Sequence, residues 1–252
     1  MKVRTIVVAV CMSLAACAGE DGTEDTPGTC EPLSATELSE LTHSFSLSPV
    51  IDARPGSTLD IDLGKTECCY SFQAIPACAV YSVTPQSAAT IDPATGVLAI
   101  EPTTPSGTVV HVVADVQEGA KRVELDVHVY TPEAMPQVGR WRESKVLSCD
   151  DGSELDPVES IEEIEFWGDG TFSVTWHPFE IYRDYWGPAA LDLAASSVNL
   201  GISGGNFTPA NFDGVGTFEL VDANTLKLQG VWLGTKGGTF EGCGHVLKRA
   251  GT

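Results

Sequence analysis

Basic residues are scarce in this sequence. Lys and Arg contribute 14 of the 252 residues, Asp and Glu contribute 35, and the formal net charge at pH 7 is −21. A nucleic-acid-binding protein needs a basic surface to displace the counterions of the phosphate backbone, so nucleic acid is excluded as a partner. The acidic residues are spread along the chain, and most of them are interpreted as a solvated surface.

The sequence also lacks an apolar run long enough to span a membrane. The longest run, Thr5 to Leu14, has about half of the ~20 residues that a transmembrane helix needs. Lys2 and Arg4 precede this run, and acidic residues follow it closely. A short apolar segment with these flanks is typical of a secretory leader, which we place at residues 1–16.

Motifs for metal binding and catalysis are missing too. The chain contains no C-x2-C pair, no H-E-x-x-H and no D-x-D-x-D-G loop, so neither a metal nor another cofactor is predicted. Zinc bound by thiolates is kept only as a minor alternative. His111 and His128 lie in alternating segments and are interpreted as the polar face of a hairpin, with a metal-binding pair as the alternative. The acidic segment 150–163 is interpreted as a solvated loop, with weak calcium binding as the alternative.

One short segment matches a hydrolase motif. Gly201-Ile202-Ser203-Gly204-Gly205 has the G-x-S-x-G spacing of a nucleophile elbow, which requires a helix directly after it. The following residues, 206–211, contain Pro and two Asn and do not resemble the start of a helix. The segment is therefore interpreted as a Gly-rich turn, no catalytic residue is predicted, and we expect the protein not to be an enzyme.

The cysteine count predicts disulfides. Cys11 falls in the leader and Cys17 at its end, which leaves an even set of six: Cys30, Cys68, Cys69, Cys78, Cys149 and Cys243. An even number in an exported chain favours three disulfides, although six cysteines allow 15 pairings. We expect Cys149 to pair with Cys243, and Cys30 to reach Cys68 or Cys69.

The end of the leader carries a more specific pattern. Leu14-Ala15-Ala16-Cys17 resembles the lipobox of bacterial lipoproteins, in which the Cys becomes the N-terminus and is acylated with chains such as palmitate. The resemblance implies that Cys17 is lipidated and anchors the chain to a membrane. Ala18 replaces the Asp typical of inner-membrane retention, which implies the outer membrane or the cell surface. Residues 17–29 have no large apolar side chain and are predicted to be an acidic tether.

Residues 30–130 are predicted to form a small β-domain. Apolar and polar residues alternate at 59–63, 107–116 and 122–130, and segments with turn residues separate them. The segment Thr90-Ile91-Asp92-Pro93-Ala94-Thr95-Gly96-Val97-Leu98 and the final Val/His/Val hairpin resemble bacterial immunoglobulin-like and cadherin-like modules. The resemblance implies a β-sandwich that acts as a spacer or an adhesion module. Two prolines make residues 131–137 a predicted linker.

Residues 138–252 are predicted to form an antiparallel meander that closes into a small barrel. Asp169-Gly170 and Asp222-Ala223-Asn224 are typical of hairpin turns. Gly139-Arg140-Trp141, with the segments 166–172 and 216–220, resembles the lipocalin-like domains of bacterial lipoproteins, in which such a Trp closes the bottom of the barrel. The predicted fold class is therefore all-β, with an Ig-like sandwich followed by a lipocalin-like barrel.

Aromatic residues suggest a binding site in the second half. All five tryptophans follow residue 138, and the long segment 177–186 is the predicted rim of a cavity. The candidate ligand-binding residues are Trp176, Tyr182, Tyr185 and Trp186. We expect a non-enzymatic, lipid-anchored envelope protein that binds an envelope partner or has a structural role. The alternative is a lipocalin-like carrier of a small apolar ligand or a glycan, which would require a hollow barrel.

Overall fold

A computed structural model describes residue 30 and residues 32–48, 50–66, 71–179, 181–235 and 242–251. The predicted leader, the lipidation site Cys17, the tether, and Cys68 and Cys69 lie outside the described residues. No helix in the described part of the chain is long and apolar enough to cross a membrane.

A short helix, which was not predicted from the sequence, lies near the start of the described residues. Helix α1 spans Ala35–Glu40 and begins with a capping box. The Glu37 amide donates to Ser34 Oγ (3.3 Å), and the Ser34 amide donates to the Glu37 carboxylate (2.8 Å). This S-x-x-E spacing satisfies two backbone amides at the start of the helix.

Ten strands follow in the described part of residues 42–129. They are β1 (Thr42–His43), β2 (Ile51–Ala53), β3 (Thr58–Asp60), β4 (Leu63–Thr66), β5 (Phe72–Ala74), β6 (Ala79–Thr84), β7 (Ala89–Ile91), β8 (Val97–Ile100), β9 (Val109–Val116) and β10 (Lys121–Val129). The single strand expected over residues 59–63 is interrupted at Ile61 and Asp62, and its two ends join different sheets.

These strands form three small sheets around one core. The sheet orders are β2-β10-β9-β6, β1-β4-β5 and β3-β8-β7. Alternate residues of β9 and β10 are buried, while their neighbours face solvent, as expected for strands with one buried face. Strand β2 runs parallel to β10 and places Asp52 beside His128.

Ten further strands lie in the described part of residues 139–249. They are β11 (Gly139–Leu147), β12 (Glu154–Leu155), β13 (Glu163–Phe166), β14 (Thr171–Thr175), β15 (Tyr185–Asp192), β16 (Ser197–Leu200), β17 (Gly204–Gly205), β18 (Val215–Asp222), β19 (Thr225–Gln229) and β20 (Gly244–Arg249). Eight of them close an antiparallel barrel in the order β11-β13-β14-β15-β16-β18-β19-β20, because β20 pairs back onto β11. The all-β fold and the closed barrel are thus confirmed.

The predicted disulfide between Cys149 and Cys243 is confirmed. It joins the loop after β11 to the residue before β20, next to the pair of strands that closes the barrel. Cys30 is bonded to Cys78. The expectation that Cys30 pairs with Cys68 or Cys69 was therefore wrong, because the chain brings Cys78, directly before β6, to this position.

An indole and a guanidinium stack where the first and last strands of the barrel pair, because Trp141 on β11 lies opposite Arg249 on β20. The Arg249 guanidinium lies 4.3 Å from the centre of the fully buried Trp141 ring. Its two terminal nitrogens donate to the carbonyls of Val138 (3.0 Å) and Pro136 (2.8 Å).

Candidate functional site

Inward-facing side chains fill the barrel. Because side chains alternate along each strand, every second residue points to the interior. The buried set forms one packed cluster in which no member is more than 6% exposed: Trp141, Ile161, Ile164, Phe166, Phe172, Val174, Trp176, Tyr185, Val198, Leu200, Phe218, Leu226, Leu228, Val231, Leu233 and Leu247. These residues make the interior a core, so a ligand site has to be sought on the outer wall.

The four predicted ligand-binding residues lie on different sides of this wall. Trp176 and Tyr185 belong to the core, where their rings are 5.9 Å apart, and Tyr185 Oη donates to the Leu233 carbonyl (2.6 Å). Burial raises the pKa of Tyr185 well above its ordinary value. Trp186 is 41% exposed and Tyr182 is 37% exposed. The four side chains therefore do not line one cavity.

Trp186 lines a cleft on the outside of the barrel. This cavity of about 480 Å³ combines aromatic and aliphatic side chains with several polar groups. Its lining residues are Val50, Trp167, Asp169, Thr171, Phe172, Ile181, Arg183, Trp186, Gly187, Pro188, Ser203 and Asn206. We call this cavity the Trp186 cleft. The predicted rim, residues 177–186, contributes Ile181, Arg183 and Trp186, and Tyr182 lines a neighbouring cleft.

A glycine holds the Trp186 indole against the barrel. Strand β17 pairs with β15 so that Gly204 lies opposite Trp186. A Cβ atom added to Gly204 would be 2.9 Å from two ring carbons of the indole. Only glycine therefore lets the ring lie directly on the backbone of β17. The G-x-S-x-G segment therefore supports the indole, and the Ser203 hydroxyl also donates to the Trp186 carbonyl (3.4 Å). The helix that a nucleophile elbow requires does not follow it in residues 206–214.

A second aromatic–cation pair forms another part of the cleft. The Arg183 guanidinium lies 5.4 Å from the centre of the Trp167 ring, and Arg183 Nε has no hydrogen-bond partner among the described residues. Asn206 Nδ2 donates to the Arg183 carbonyl (2.7 Å), which fixes the end of the loop before β15. Arg183 lies in the predicted rim, but Trp167 and Asn206 were not among the predicted ligand-binding residues. Nothing local in the sequence indicates that the turn before β14 and the segment after β17 meet this rim.

The cleft lies where the barrel meets the first group of sheets. Val50, directly before β2, is the lining residue from that group. Nearby, the Gly168 amide donates to both carboxylate oxygens of Asp52 (3.0 and 3.1 Å). Burial raises the pKa of Asp52 to about 6, and the negative charges of Asp169 and Glu165 add to this, while the bond from Gly168 opposes it.

Three of the five histidines line a more polar cleft. His43, His111 and His128 border a cavity of about 650 Å³ together with Glu124, Asp126 and serine and threonine side chains. His128 is paired with Val109 and His111 with Asp126, so the two histidines are diagonal neighbours and not direct partners. His111 Nδ1 contacts the Asp126 carboxylate. The described residues contain no group of three His, Cys, Asp or Glu arranged to hold a metal ion.

The acidic segment 150–163 is engaged by nearby side chains and amides. Lys145 Nζ donates to Asp156 (2.5 Å), and Asp151 accepts from the Ser153 amide (3.0 Å). In the second half of the segment, the Glu159 carboxylate lies 3.1 Å from His177 Nε2. These contacts agree with the interpretation of a solvated acidic loop.

A buried carboxylate–imidazole pair inside the barrel was not predicted. His245 Nδ1 lies 2.5 Å from Glu143 Oε1, and the Leu233 amide donates to His245 Nε2 (3.0 Å). Since Nε2 accepts a hydrogen bond, Nδ1 carries the ring proton. The Nδ1–H group donates a hydrogen bond to the Glu143 carboxylate. The other Glu143 oxygen accepts from the Ile161 amide (3.0 Å). With all these atoms engaged, the pair serves the packing of the core.

No family model matches the chain, and no curated protein is significantly similar to it. The function therefore has to be inferred from the geometry of the described residues.

Proposed function

We propose that this chain is a non-enzymatic binding protein of the bacterial envelope. It is anchored by lipid on Cys17, and it binds its ligand on the outer wall of the barrel, in the Trp186 cleft. The single observation that carries this proposal is the filled interior. A barrel whose inward side chains form a core has no room for a carried ligand, so recognition falls to its surface.

The chemistry of the other candidate sites supports a binding role over catalysis. Ser203 is not followed by the helix of a nucleophile elbow, and both nitrogens of His245 are engaged by the protein. General acid–base catalysis needs a side chain that can exchange a proton with a substrate. By contrast, the Trp186 cleft combines exposed aromatic surface with polar groups, which is typical of ligand sites. The carrier alternative has no comparable support.

The anchor can be tested on the full chain expressed in a Gram-negative host. Cells are grown with radiolabelled palmitate, and the chain is compared with its Cys17→Ser variant. We expect label on the parent chain and recovery with outer membranes, and neither for the variant. Cys11→Ser is the matched control and should leave the label unchanged. Equal labelling of the parent and Cys17→Ser would contradict the anchor.

The binding role can be tested by sedimentation with isolated outer membranes. The full chain carrying Cys17→Ser is used so that the anchor does not contribute. We expect it to sediment with the membranes, and we expect Trp186→Ala to lower the bound fraction. Val221→Ala is the control, because Val221 is 53% exposed on β18 and does not line the cleft. A recognition role for the cleft would be overturned if the Cys17→Ser chain did not bind the membranes, or if Trp186→Ala bound them as well as Val221→Ala does.

A further inference from the structure

We propose that the Trp186 cleft binds a neutral saccharide, with one sugar ring stacked on the Trp186 indole. The inference rests on the proposed binding function and names the ligand class of the same cleft. It depends on a rigid aromatic platform, on polar groups around the platform, and on the charge of the chain.

The platform is held in place before any ligand arrives. One face of the Trp186 indole lies on the backbone at Gly204, where even a Cβ atom would clash at 2.9 Å. The side chain is nevertheless 41% exposed and lines the cavity. The face of an aromatic ring carries negative charge density, which attracts the polarised C–H groups on the flat side of a sugar ring. Because the indole is already ordered, stacking a ring on it requires little further loss of side-chain entropy.

Polar groups surround this platform as recognition of hydroxyls requires. The carboxylate of Asp169 uses one oxygen, Oδ1, for the amide (2.8 Å) and hydroxyl (2.6 Å) of Thr171. The amide nitrogen of Asn206 is bound to the Arg183 carbonyl, which orients the rest of that amide. A carboxylate, an amide and a hydroxyl provide the acceptors and donors that sugar hydroxyls need.

Charge and composition favour a neutral saccharide over other ligands. The net charge of −21 repels polyanions such as nucleic acids and acidic polysaccharides. A lipid chain needs a continuous apolar lining, but Asp169, Arg183 and Asn206 interrupt the apolar lining of this cleft. The volume of about 480 Å³ falls in the range of small-ligand sites.

The test titrates the full chain carrying Cys17→Ser with chitotriose, cellotriose, maltotriose and mannotriose and follows tryptophan fluorescence and heat. We expect at least one of them to bind with a dissociation constant below about 10 mM. Trp186→Ala should weaken that binding about tenfold, while Trp186→Phe, which keeps an aromatic face, should stay within about threefold. Val221→Ala should bind like the parent.

The outcomes separate this inference from the proposed function. If no trisaccharide binds, but outer membranes are still bound in a Trp186-dependent way, the saccharide inference is overturned and the binding function stands. Binding of a proline-rich peptide in place of the sugars would overturn it in the same way. If a sugar binds equally well to Trp186→Ala, the platform is not the site. If neither membranes nor sugars bind, the proposed function itself fails.

Discussion

The aspartate between the barrel and the first group of sheets should make the protein less stable as pH rises. Asp52 is partly buried, and its carboxylate accepts the Gly168 amide through both oxygens. Its folded-state pKa of about 6 lies above the ordinary value of 3.8, mainly because burial disfavours the charged form. We therefore expect Asp52→Asn, which removes the charge and keeps an oxygen acceptor, to stabilise the protein above pH about 6.

The sign and size follow from the two pKa values. Well below pH 3.8, Asp52 is protonated in both the folded and the unfolded chain and contributes no pH dependence. As pH rises towards about 6, the unfolded chain loses this proton first, so the free energy of unfolding falls. A folded-state pKa of about 6 in place of 3.8 corresponds to ~3 kcal/mol above pH 6. Because the side chain is partly exposed, solvent screening reduces the expected gain from Asp52→Asn to ~1–2 kcal/mol.

Urea unfolding followed by tryptophan fluorescence measures this difference. All five tryptophans lie in the barrel, on one side of the contact between Asp52 and Gly168. We expect the free energy of unfolding of Asp52→Asn to exceed that of the parent at pH about 7.5. This difference should largely disappear at pH about 4. Asp115→Asn, which removes an exposed aspartate of the same sheet, is the control and should change little. A variant equally or less stable than the parent at pH about 7.5 would refute the assignment of an unfavourable charge.

Three further changes test the core. Glu143→Ala leaves the buried imidazole of His245 without its acceptor and should lower the free energy of unfolding by about 2–3 kcal/mol in urea titrations; a loss below about 1 kcal/mol would contradict a paired role. Replacing both Cys149 and Cys243 with Ser opens a loop of 94 residues and should cost about 4 kcal/mol. Reduction of the parent chain also breaks Cys30–Cys78 and should cost at least as much. An unchanged midpoint in the double variant would argue against a stabilising role of Cys149–Cys243. Trp141→Ala should cost about 3–5 kcal/mol by thermal or urea unfolding, because it removes a fully buried indole from the core. Retention of parent stability would show that this side chain is not tightly packed.

The strand pattern was the strongest information in the sequence. Alternation of apolar and polar residues predicted the hairpin of β9 and β10, and Asp222-Ala223-Asn224 predicted the tight turn between β18 and β19. Both depend on neighbours in the chain, which is why sequence alone can reveal them. The same period of two could have separated Tyr185 from Trp186, because adjacent residues of one strand face opposite sides. The prediction placed both in one site and missed this point.

Contacts between distant residues were not predictable. Glu143 and His245 are 102 positions apart, and Asp52 and Gly168 are 116 apart. Neither pair has a motif, since each arises only when the barrel closes or when the two groups of sheets meet. The break at Ile61 and Asp62 was missed for a related reason, because an alternating segment does not reveal that its two halves join different sheets.

The sequence by itself therefore determined an all-β fold and the meander of the second half, because short-range alternation and turn residues specify them. The pairing of Cys149 with Cys243 was predictable for another reason, since these are the two cysteines of the second half. Only the tertiary structure decided whether the barrel is hollow and where a ligand could bind. The filling of the interior depends on the register of eight strands and on the volume of the side chains that they bring together. The exposed face of Trp186 likewise exists only because Gly204, from another strand, lies directly beneath its ring.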